Sequence, residues 1–223
     1  MTSTTRTTST TSTTSTPGTA RVPAAEIAGA YGTLVKAMCR RMLGEVPDSL
    51  GVMWHHRTLL RDVMGFSRKV EKWDRLDKNL GTFAAMAAAA TVGCGACLDL
   101  NYFLAHDRGL DETKAREVPR WRESAVFSPV ERRAMEYAEA MSQTPPAVTD
   151  ELSAALLADL GAAGLLELTG RVATMNLTAR SNLALGIGSQ EFAEACGLPP
   201  LARPSSDAAS DAASDAATAA VAG

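Results

Sequence analysis

Residues 84–101 read AAMAAAATVGCGACLDLN, and this stretch decides the fold. Its first half is a run of alanines with one methionine, a composition that favours helix. Gly93 ends that run, and a second helix is predicted to begin at or just before Cys94 and to continue to about Gly109. Cys94 and Cys97 are three residues apart, so their side chains lie on nearly the same face of the first helical turn. The stretch therefore predicts a helical hairpin with two neighbouring thiols at its bend.

The rest of the central part shows the same helical periodicity. An apolar stripe repeats over 130–141, and Ser128, Pro129 and Glu131 form a capping signal in front of it. Further stripes at helical spacing are Ile27, Tyr31, Leu34, Val35, Met38 and Met42, then Leu156, Leu157, Leu160, Leu165, Leu166 and Leu168, then Val172, Met175, Leu183 and Ile187. We interpret them as core packing, and no segment alternates with the period of a strand. The predicted fold class is all-α, a bundle of about seven to nine helices. A division into two halves near 118–128 stays open.

Both ends of the chain differ in composition from the middle. Residues 1–20 contain 15 Ser or Thr, and Ser-Asp-Ala-Ala occurs three times in succession within 203–223. Neither segment has the large apolar side chains that offset the entropy lost on ordering. We therefore predict disordered tails at 1–20 and 203–223, and an all-helical domain over 21–202.

Charge and hydropathy exclude several classes of protein. The net charge is −3, without the basic surplus that nucleic acid or an acidic membrane surface would attract. No apolar run is expected to approach the roughly 20 residues of a membrane-spanning helix. Residues 1–20 lack the apolar stretch of a secretory signal, and four cysteines in 223 residues do not make a disulfide scaffold. These features predict a cytoplasmic protein with neither nucleic acid nor membrane as its partner.

The cysteine pair is the clearest indication of chemistry. A helix N-terminus favours a thiolate, and the spacing permits a short disulfide, so the pair can act as a reversible dithiol toward a peroxide or another disulfide. A zinc knuckle would need a second pair of ligands, which the sequence lacks. Covalent haem attachment would need a histidine where Leu98 stands. Two buried cysteines acting as small apolar residues stay a possible alternative. No metal or cofactor is predicted.

Three segments resemble the carboxymuconolactone decarboxylase and alkylhydroperoxidase-D-like superfamily. They are the hairpin region from His56 to His106, the Ser-Pro-Val-Glu-Arg sequence at 128–132, and the element at 176–185 with Asn, Arg, Asn, Ala and Leu. The resemblance implies an all-helical fold that usually forms trimers or hexamers. It also implies one of two activities: thiol-dependent peroxide reduction through a Cys-x-x-Cys pair, or cofactor-free lactone decarboxylation in members that generally lack the pair. The presence of both cysteines favours the redox branch.

The resemblance also shows where this chain departs from the redox members. They carry a histidine four residues after the second cysteine and a glutamate twelve residues before the first, where this chain has Asn101 and Thr82. That carboxylate and imidazole relay the thiol proton to a leaving group. An amide and a hydroxyl do not titrate near neutral pH, although they can hold a water or donate to a thiolate. His106 is predicted to face the opposite side of the helix from Cys97. The predicted catalytic positions are therefore Cys94, Cys97, Asn101 and Thr82, with an altered relay.

Other polar residues near these segments have structural explanations. The Trp-His-His sequence at 54–56 has two possible roles. It forms part of the wall of the cysteine pocket, or it is a helix end whose histidine caps carbonyls beside a packed tryptophan. We favour the second explanation. Cys39 and Cys196 lie in apolar sequence and are predicted to be buried and inert. Arg180 is expected to pair with a carboxylate inside one subunit or between subunits. Four carboxylates lie near the pair in sequence but lack the family spacing: Glu71, Asp74, Asp77 and Asp99.

The sequence thus favours a thiol-dependent oxidoreductase that acts on a hydroperoxide or on a partner disulfide, with an unidentified thiol as electron donor. Two alternatives stay open: a non-catalytic helical oligomer that has lost the relay, and a lactone decarboxylase in which the cysteine pair is incidental. Thiol reactivity separates them, because only the oxidoreductase needs a low thiolate pKa and a facile disulfide. A homo-oligomer, either a trimer or a hexamer, is expected.

Overall fold

The structure is a computed structural model that describes residues 20–205, and within this range it contains helices and turns but no strand. The helices are α1 Gly29–Leu43, α2 Asp48–Met53, α3 Arg57–Val70, α4 Lys78–Val92, α5 Gly95–Asp107, α6 Glu112–Glu117, α7 Pro129–Ser142, α8 Asp150–Leu185 and α9 Phe192–Ala195, with single 3₁₀ turns at Trp54–His56 and Val118–Arg120. The all-α prediction is confirmed. The predicted disorder of 1–19 and 206–223 lies outside the described residues. Residues 203–205 are described, and the Ser205 hydroxyl donates to Glu123.

The α4–α5 hairpin forms for the local reasons that the sequence indicates. The Asp77 carboxylate accepts from the Leu80 N–H at 3.0 Å, which satisfies one of the free amides at the start of α4. α4 ends at Gly93, whose φ of 84° lies in the left-handed region that suits glycine. The N–H groups of Gly93 and Cys94 both donate to the Ala89 carbonyl, which closes the turn. α5 therefore starts immediately after the bend.

The main core is built around α4, which packs against α5, α7 and α8. Most of its alanines are buried, with Ala84 and Ala88 fully so, and they let the neighbouring helices approach closely. The largest fully buried apolar side chains around it are Tyr102, Phe83, Met86, Met135, Leu156, Leu168, Val118 and Val172. These side chains come from both sides of 118–128 and pack into one cluster, so a division into two halves near that segment is wrong. A smaller cluster joins α1, α2 and α3 around Trp54.

Several of the apolar stripes do not face the core. The exposed large side chains on α1, α3 and α8 are Tyr31, Leu34, Met42, Leu59, Phe66, Leu157, Leu166, Leu177 and Leu183. Leu34 is 67% exposed and Leu166 is 73% exposed, so the prediction that every stripe packs into this chain's core is wrong. Helical periodicity shows that a helix face is apolar, but it does not show what covers that face.

α8 is bent at Gly161, where φ is 67° and ψ is 172°, a conformation that glycine adopts readily. By length and composition alone α8 could cross a membrane, with a mean hydropathy of 1.5 in its most apolar window. This corrects the expectation that no apolar run approaches that length. Core helices of soluble proteins reach the same length and hydropathy, and α8 packs on α4 and α7. It also carries the nearly buried ion pair between Glu167 and Arg171, at 2.9 Å.

Candidate active site

Cys94 and Cys97 form a disulfide at the start of α5, with their Cα atoms 5.3 Å apart. The two residues are only 1% and 3% exposed. They pack against Ala89 of α4 and Ala179 of α8, whose small side chains let three helices converge on the sulfurs. Because the sulfurs are buried, a reactant reaches them only through a cavity or after a local movement.

Each sulfur accepts a hydrogen bond. Cys94 is the N-cap residue of α5, and its Sγ accepts from the backbone N–H of Cys97 at 3.3 Å. The position is one that Ser, Thr, Asp or Asn usually occupies, since a side-chain acceptor satisfies a free amide there. The Cys97 Sγ accepts from Nδ2 of Asn182 on α8, at 3.5 Å. In the reduced protein the same donors and the helix dipole favour a thiolate.

Asn182 contacts the cysteine pair but is not among the site residues predicted from the sequence. It belongs to the 176–185 element that carries the family resemblance, which is the one signal that could have found it. Its contact with Cys97 joins residues 85 positions apart, so only the packing of α8 on the hairpin reveals it. We assign it the role of positioning and polarising the Cys97 sulfur.

We expect Asn182→Leu to raise the pKa of the Cys97 thiol in the reduced protein. The substitution removes the amide that donates to this sulfur, and a hydrogen bond to the charged form of a group favours that form. The pH dependence of thiolate ultraviolet absorbance measures the shift. Ser181→Ala, on the same helix turn, is the matched control, and an unchanged thiol pKa in Asn182→Leu would contradict the assignment.

Thr82 and Asn101 line the same cavity, of about 190 Å³, between α4, α5 and α8. Their polar groups bond to their own helices: the Thr82 hydroxyl donates to the Lys78 carbonyl at 2.8 Å, and the Asn101 amide donates to the Cys97 carbonyl at 2.7 Å. Within residues 20–205 neither side chain hydrogen-bonds to a sulfur. Both altered relay positions therefore line one cavity, and Asn101 lies one helical turn from Cys97, but neither side chain bonds directly to a sulfur of the pair.

Charged side chains at the edge of this polar cavity are already paired. Glu71 forms an ion pair with Arg108 at 2.6 Å, and the Arg171 guanidinium donates to Glu167 and to the Trp73 carbonyl. Glu71 is the one member of the four nearby carboxylates that lines this cavity. The other three have different roles: Asp74 lies beside Arg75, Asp77 caps α4, and Asp99 accepts from Ser189 and from the amides that begin α9.

A second cavity, of about 300 Å³, lies between α3 and α8 and has Asn182 in its wall. Both histidines of the 54–56 sequence line it. His56 Nδ1 accepts from the Leu59 N–H at 3.1 Å, so His56 caps the amide end of α3 and not the carbonyl end that we predicted. His55 Nε2 lies 2.9 Å from the Pro23 carbonyl. The 54–56 segment thus has a structural role and also forms part of a cavity next to the cysteine site.

The remaining candidates have mixed outcomes. His106 bonds to Glu112 at 2.7 Å, in agreement with its exclusion from the relay. Cys39 is buried, and burial raises the pKa of its thiol, whereas Cys196 is exposed at the end of the four-residue helix α9, so its predicted burial is wrong. Arg180 donates to the Ser142 carbonyl, at 2.6 Å, to Thr144 and to Asn176. No carboxylate within 20–205 pairs with it, so the pairing predicted inside the subunit is wrong, and pairing between subunits stays a prediction.

Comparison with known proteins agrees with this geometry. Residues 58–140, which include the α4–α5 hairpin, match the Carboxymuconolactone decarboxylase family. A solved alkylhydroperoxidase AhpD core structure, an uncharacterised peroxidase-related protein from Ralstonia eutropha JMP134, has the same fold. It gives a TM-score of 0.65 at 18% identity and covers 78% of this chain and 94% of that one. Residues 58–140 thus belong to the carboxymuconolactone decarboxylase family, and the chain has the fold of the alkylhydroperoxidase AhpD core.

Two further proteins are similar to this chain. The uncharacterised protein YnjA of Escherichia coli strain K12 is 38% identical over 124 residues, which cover 56% of this chain and 66% of that protein. A cysteine variant of the debrominase Bmp8, solved in complex with 2,3,4-tribromopyrrole, has a TM-score of 0.69 at 18% identity and covers 80% of this chain and 95% of that one. The likeness to the debrominase shows the fold alone.

Proposed function

We propose that this alkylhydroperoxidase-D-like protein is a thiol-dependent oxidoreductase that reduces an organic hydroperoxide or a disulfide through Cys94 and Cys97. The observation that carries the proposal is the buried disulfide at the start of α5, whose sulfurs accept from a helix-terminal amide and from Asn182. We further propose that it acts in the cytoplasm, where thiol donors are kept reduced.

With a hydroperoxide, the reaction consumes two electrons from the dithiol. One thiolate attacks the terminal peroxide oxygen, the O–O bond breaks, and the alkoxide takes a proton and leaves as an alcohol. The second cysteine attacks the resulting sulfenic sulfur, so that the S–S bond forms, the S–O bond breaks and water leaves. An external dithiol then reduces the disulfide by exchange and is itself oxidised. With a disulfide substrate, the same thiolate forms a mixed disulfide that the second cysteine resolves.

Proton transfer is the weak part of this proposed cycle. Neither Thr82 nor Asn101 titrates near neutral pH, and both side chains bond to their own helix backbones. General acid–base catalysis contributes about 10²–10⁴-fold, so its loss corresponds to slow turnover. We therefore propose a slower peroxidase than a member with the intact glutamate and histidine.

A reductant-coupled assay tests the proposed function. The full chain is incubated with dithiothreitol and cumene hydroperoxide, and peroxide consumption is compared with that of the same protein after both site thiols are alkylated. Consumption above the alkylated control supports the proposal. If the rates are equal for a folded protein, and the same holds with a small disulfide substrate, the oxidoreductase proposal is wrong. The non-catalytic oligomer and the lactone decarboxylase, which need no thiol, then become the better explanations.

A second candidate function is the reductive removal of halogen from an aromatic ring. The observation that favours it is an apolar cavity next to the cysteine site, on a fold shared with a debrominase. The dithiol would supply two electrons, carbon–bromine would be replaced by carbon–hydrogen, and bromide would leave as the disulfide forms. Release of bromide from a brominated pyrrole by the reduced protein would support this reaction.

We propose that the protein is a homo-oligomer, a trimer or a hexamer, built through the exposed apolar faces of α1 and α8. Leu34 and Leu166 are the most exposed large side chains of these faces, and such surface is rarely left uncovered. Light scattering should give a multiple of 23.4 kDa, and Leu34→Glu with Leu166→Glu should lower that mass. Glu136→Lys, on the exposed side of α7, is the control. A mass near 23 kDa for the unchanged chain at micromolar concentration would reject the oligomer.

A further inference from the structure

We propose that the 300 Å³ cavity next to Asn182 is the substrate site, that it takes a compact, uncharged apolar organic molecule, and that Val22 limits the size of that molecule. The inference rests on the proposed function, since it names the substrate class of the same cysteine site. It adds a binding cavity, a chemical class and a specificity-determining residue.

Asn182 links the cavity to the Cys97 sulfur. Its amide donates to the Cys97 sulfur, and the same residue forms part of the cavity wall, so a molecule in the cavity is separated from the thiol by one side chain. Cys97 itself is 3% exposed, which leaves little other access to the sulfur. The 190 Å³ cavity of Thr82 and Asn101 does not include Asn182, although Thr178 lines both cavities.

The wall of the cavity is mostly apolar. Its largest members include Leu59 and Leu177, which are 50% and 53% exposed because no other part of residues 20–205 covers them. An apolar molecule in the cavity would remove this surface from water. Within residues 20–205 no carboxylate, lysine or arginine lines the cavity. Its two histidines, His55 and His56, each use a ring nitrogen to bond to the backbone, to the Pro23 carbonyl and the Leu59 N–H. The wall therefore suits an uncharged ligand better than a charged one. Asn182 and Ser181 place polar groups at one side, where a single polar group of the substrate can be oriented.

The volume of the cavity limits the size of the molecule that it can take. A volume of about 300 Å³ is at the lower end of the range for small-molecule pockets, roughly 300–1,000 Å³. It suits a single aromatic ring or a short branched alkyl chain with a hydroperoxide group. It is too small for the folded protein or extended peptide that a protein-disulfide substrate would have to insert.

The segment 21–25 crosses from α8 to α2 and contributes Val22 to the cavity wall. At one end the Arg21 N–H donates to the Leu185 carbonyl at 2.7 Å, and its guanidinium donates to the Ala184 carbonyl. At the other end the Ala25 N–H donates to the Gly51 carbonyl at 3.0 Å. The Pro23 carbonyl bonds to His55 between them. Because the segment is held at both ends, Val22 is a fixed wall.

The test compares two oxidants with the reduced full chain. The rate of thiol loss is measured with cumene hydroperoxide and with hydrogen peroxide, for the unchanged protein, Val22→Trp and Ser181→Phe. These two variants fill the cavity from two different segments, and Glu136→Trp, on the exposed side of α7, is the matched control. We expect each filling variant to lower the cumene hydroperoxide rate about 10-fold or more relative to the hydrogen peroxide rate, with no change in Glu136→Trp. In parallel, calorimetry should detect cumyl alcohol binding to the disulfide form, and Val22→Trp should weaken it.

The remaining outcomes distinguish failure of the cavity proposal from failure of the proposed function. If both peroxides oxidise the pair and neither filling variant changes the ratio of the rates, the cavity is not the substrate site and the proposed function survives. If a filling variant alters the light-scattering mass and leaves the ratio unchanged, a second copy of the chain covers this face, and the inference is wrong. If neither peroxide oxidises the pair, the proposed peroxidase function fails, and cumyl alcohol binding alone decides whether the cavity takes an apolar ligand.

Discussion

Replacing Thr82 by glutamate and Asn101 by histidine together is expected to raise peroxide consumption by about 10²–10⁴-fold. The two positions line one cavity, so the new carboxylate and imidazole would face the same space, where a proton can pass between them directly or through a water. Asn101 is one helical turn from Cys97, and an imidazole there can receive the thiol proton and return it to the alkoxide. The reductant-coupled assay used for the unchanged protein measures the gain.

The control for the double variant keeps the same two residue types and moves one of them. Thr174 lines the same cavity from α8, so Thr174→Glu with Asn101→His places a carboxylate there at a different position. We expect a much smaller gain in this control. If the Thr82, Asn101 double variant folds and shows no gain, positions 82 and 101 are not the relay positions of this site.

Changing either cysteine of the pair is expected to have the largest effect on the proposed reaction. In the variant that keeps the attacking cysteine, whether Cys94→Ser or Cys97→Ser, the internal disulfide cannot form and an external thiol must resolve the sulfenic acid. In the other variant no sulfenic acid forms. Intramolecular reactions of well-placed groups have effective molarities of about 10⁵–10⁸ M, far above a millimolar thiol, so resolution should slow by many orders of magnitude. Serine is a good N-cap, so Cys94→Ser should keep the start of α5 intact.

Rapid mixing of the reduced variants with cumene hydroperoxide, followed by trapping of sulfenic acid, measures this effect. Cys196→Ser is the matched control, because that thiol is exposed and lies outside the pair. The control should behave as the unchanged chain. A single-cysteine variant that turns over at the rate of the unchanged protein would show that the pair is not the redox centre.

The local features of this fold could be predicted from sequence because each one depends on a few adjacent residues. The capping box of α7 forms as expected, with the Glu131 carboxylate accepting from the Ser128 N–H and the Ser128 hydroxyl accepting in return. The turn at Gly93 and the start of α5 next to Cys94 follow from residue type and spacing in the same way. The cysteine pair was identified for this reason, since its geometry is set within one helical turn.

The rest of the site depends on packing between distant segments, which local patterns do not encode. Asn182 reaches Cys97 only because α8 packs against the hairpin, and Val22 reaches the same region because Arg21 caps the end of α8. Burial is not encoded for the same reason: Leu166 lies on an apolar stripe but is exposed on its own chain. The apolar periodicity is correct there, but periodicity does not specify what covers the stripe.

The central claim is that Cys94 and Cys97 form a reversible, accessible disulfide, and a thiol count with intact mass measures it most directly. The full chain is reduced, exposed to one equivalent of cumene hydroperoxide without denaturant, and then treated with dithiothreitol. The account predicts that oxidation removes two titratable thiols and about 2 Da, that peptide mapping joins Cys94 to Cys97, and that dithiothreitol restores both thiols. An unchanged thiol count and mass after oxidation of the folded protein would contradict it.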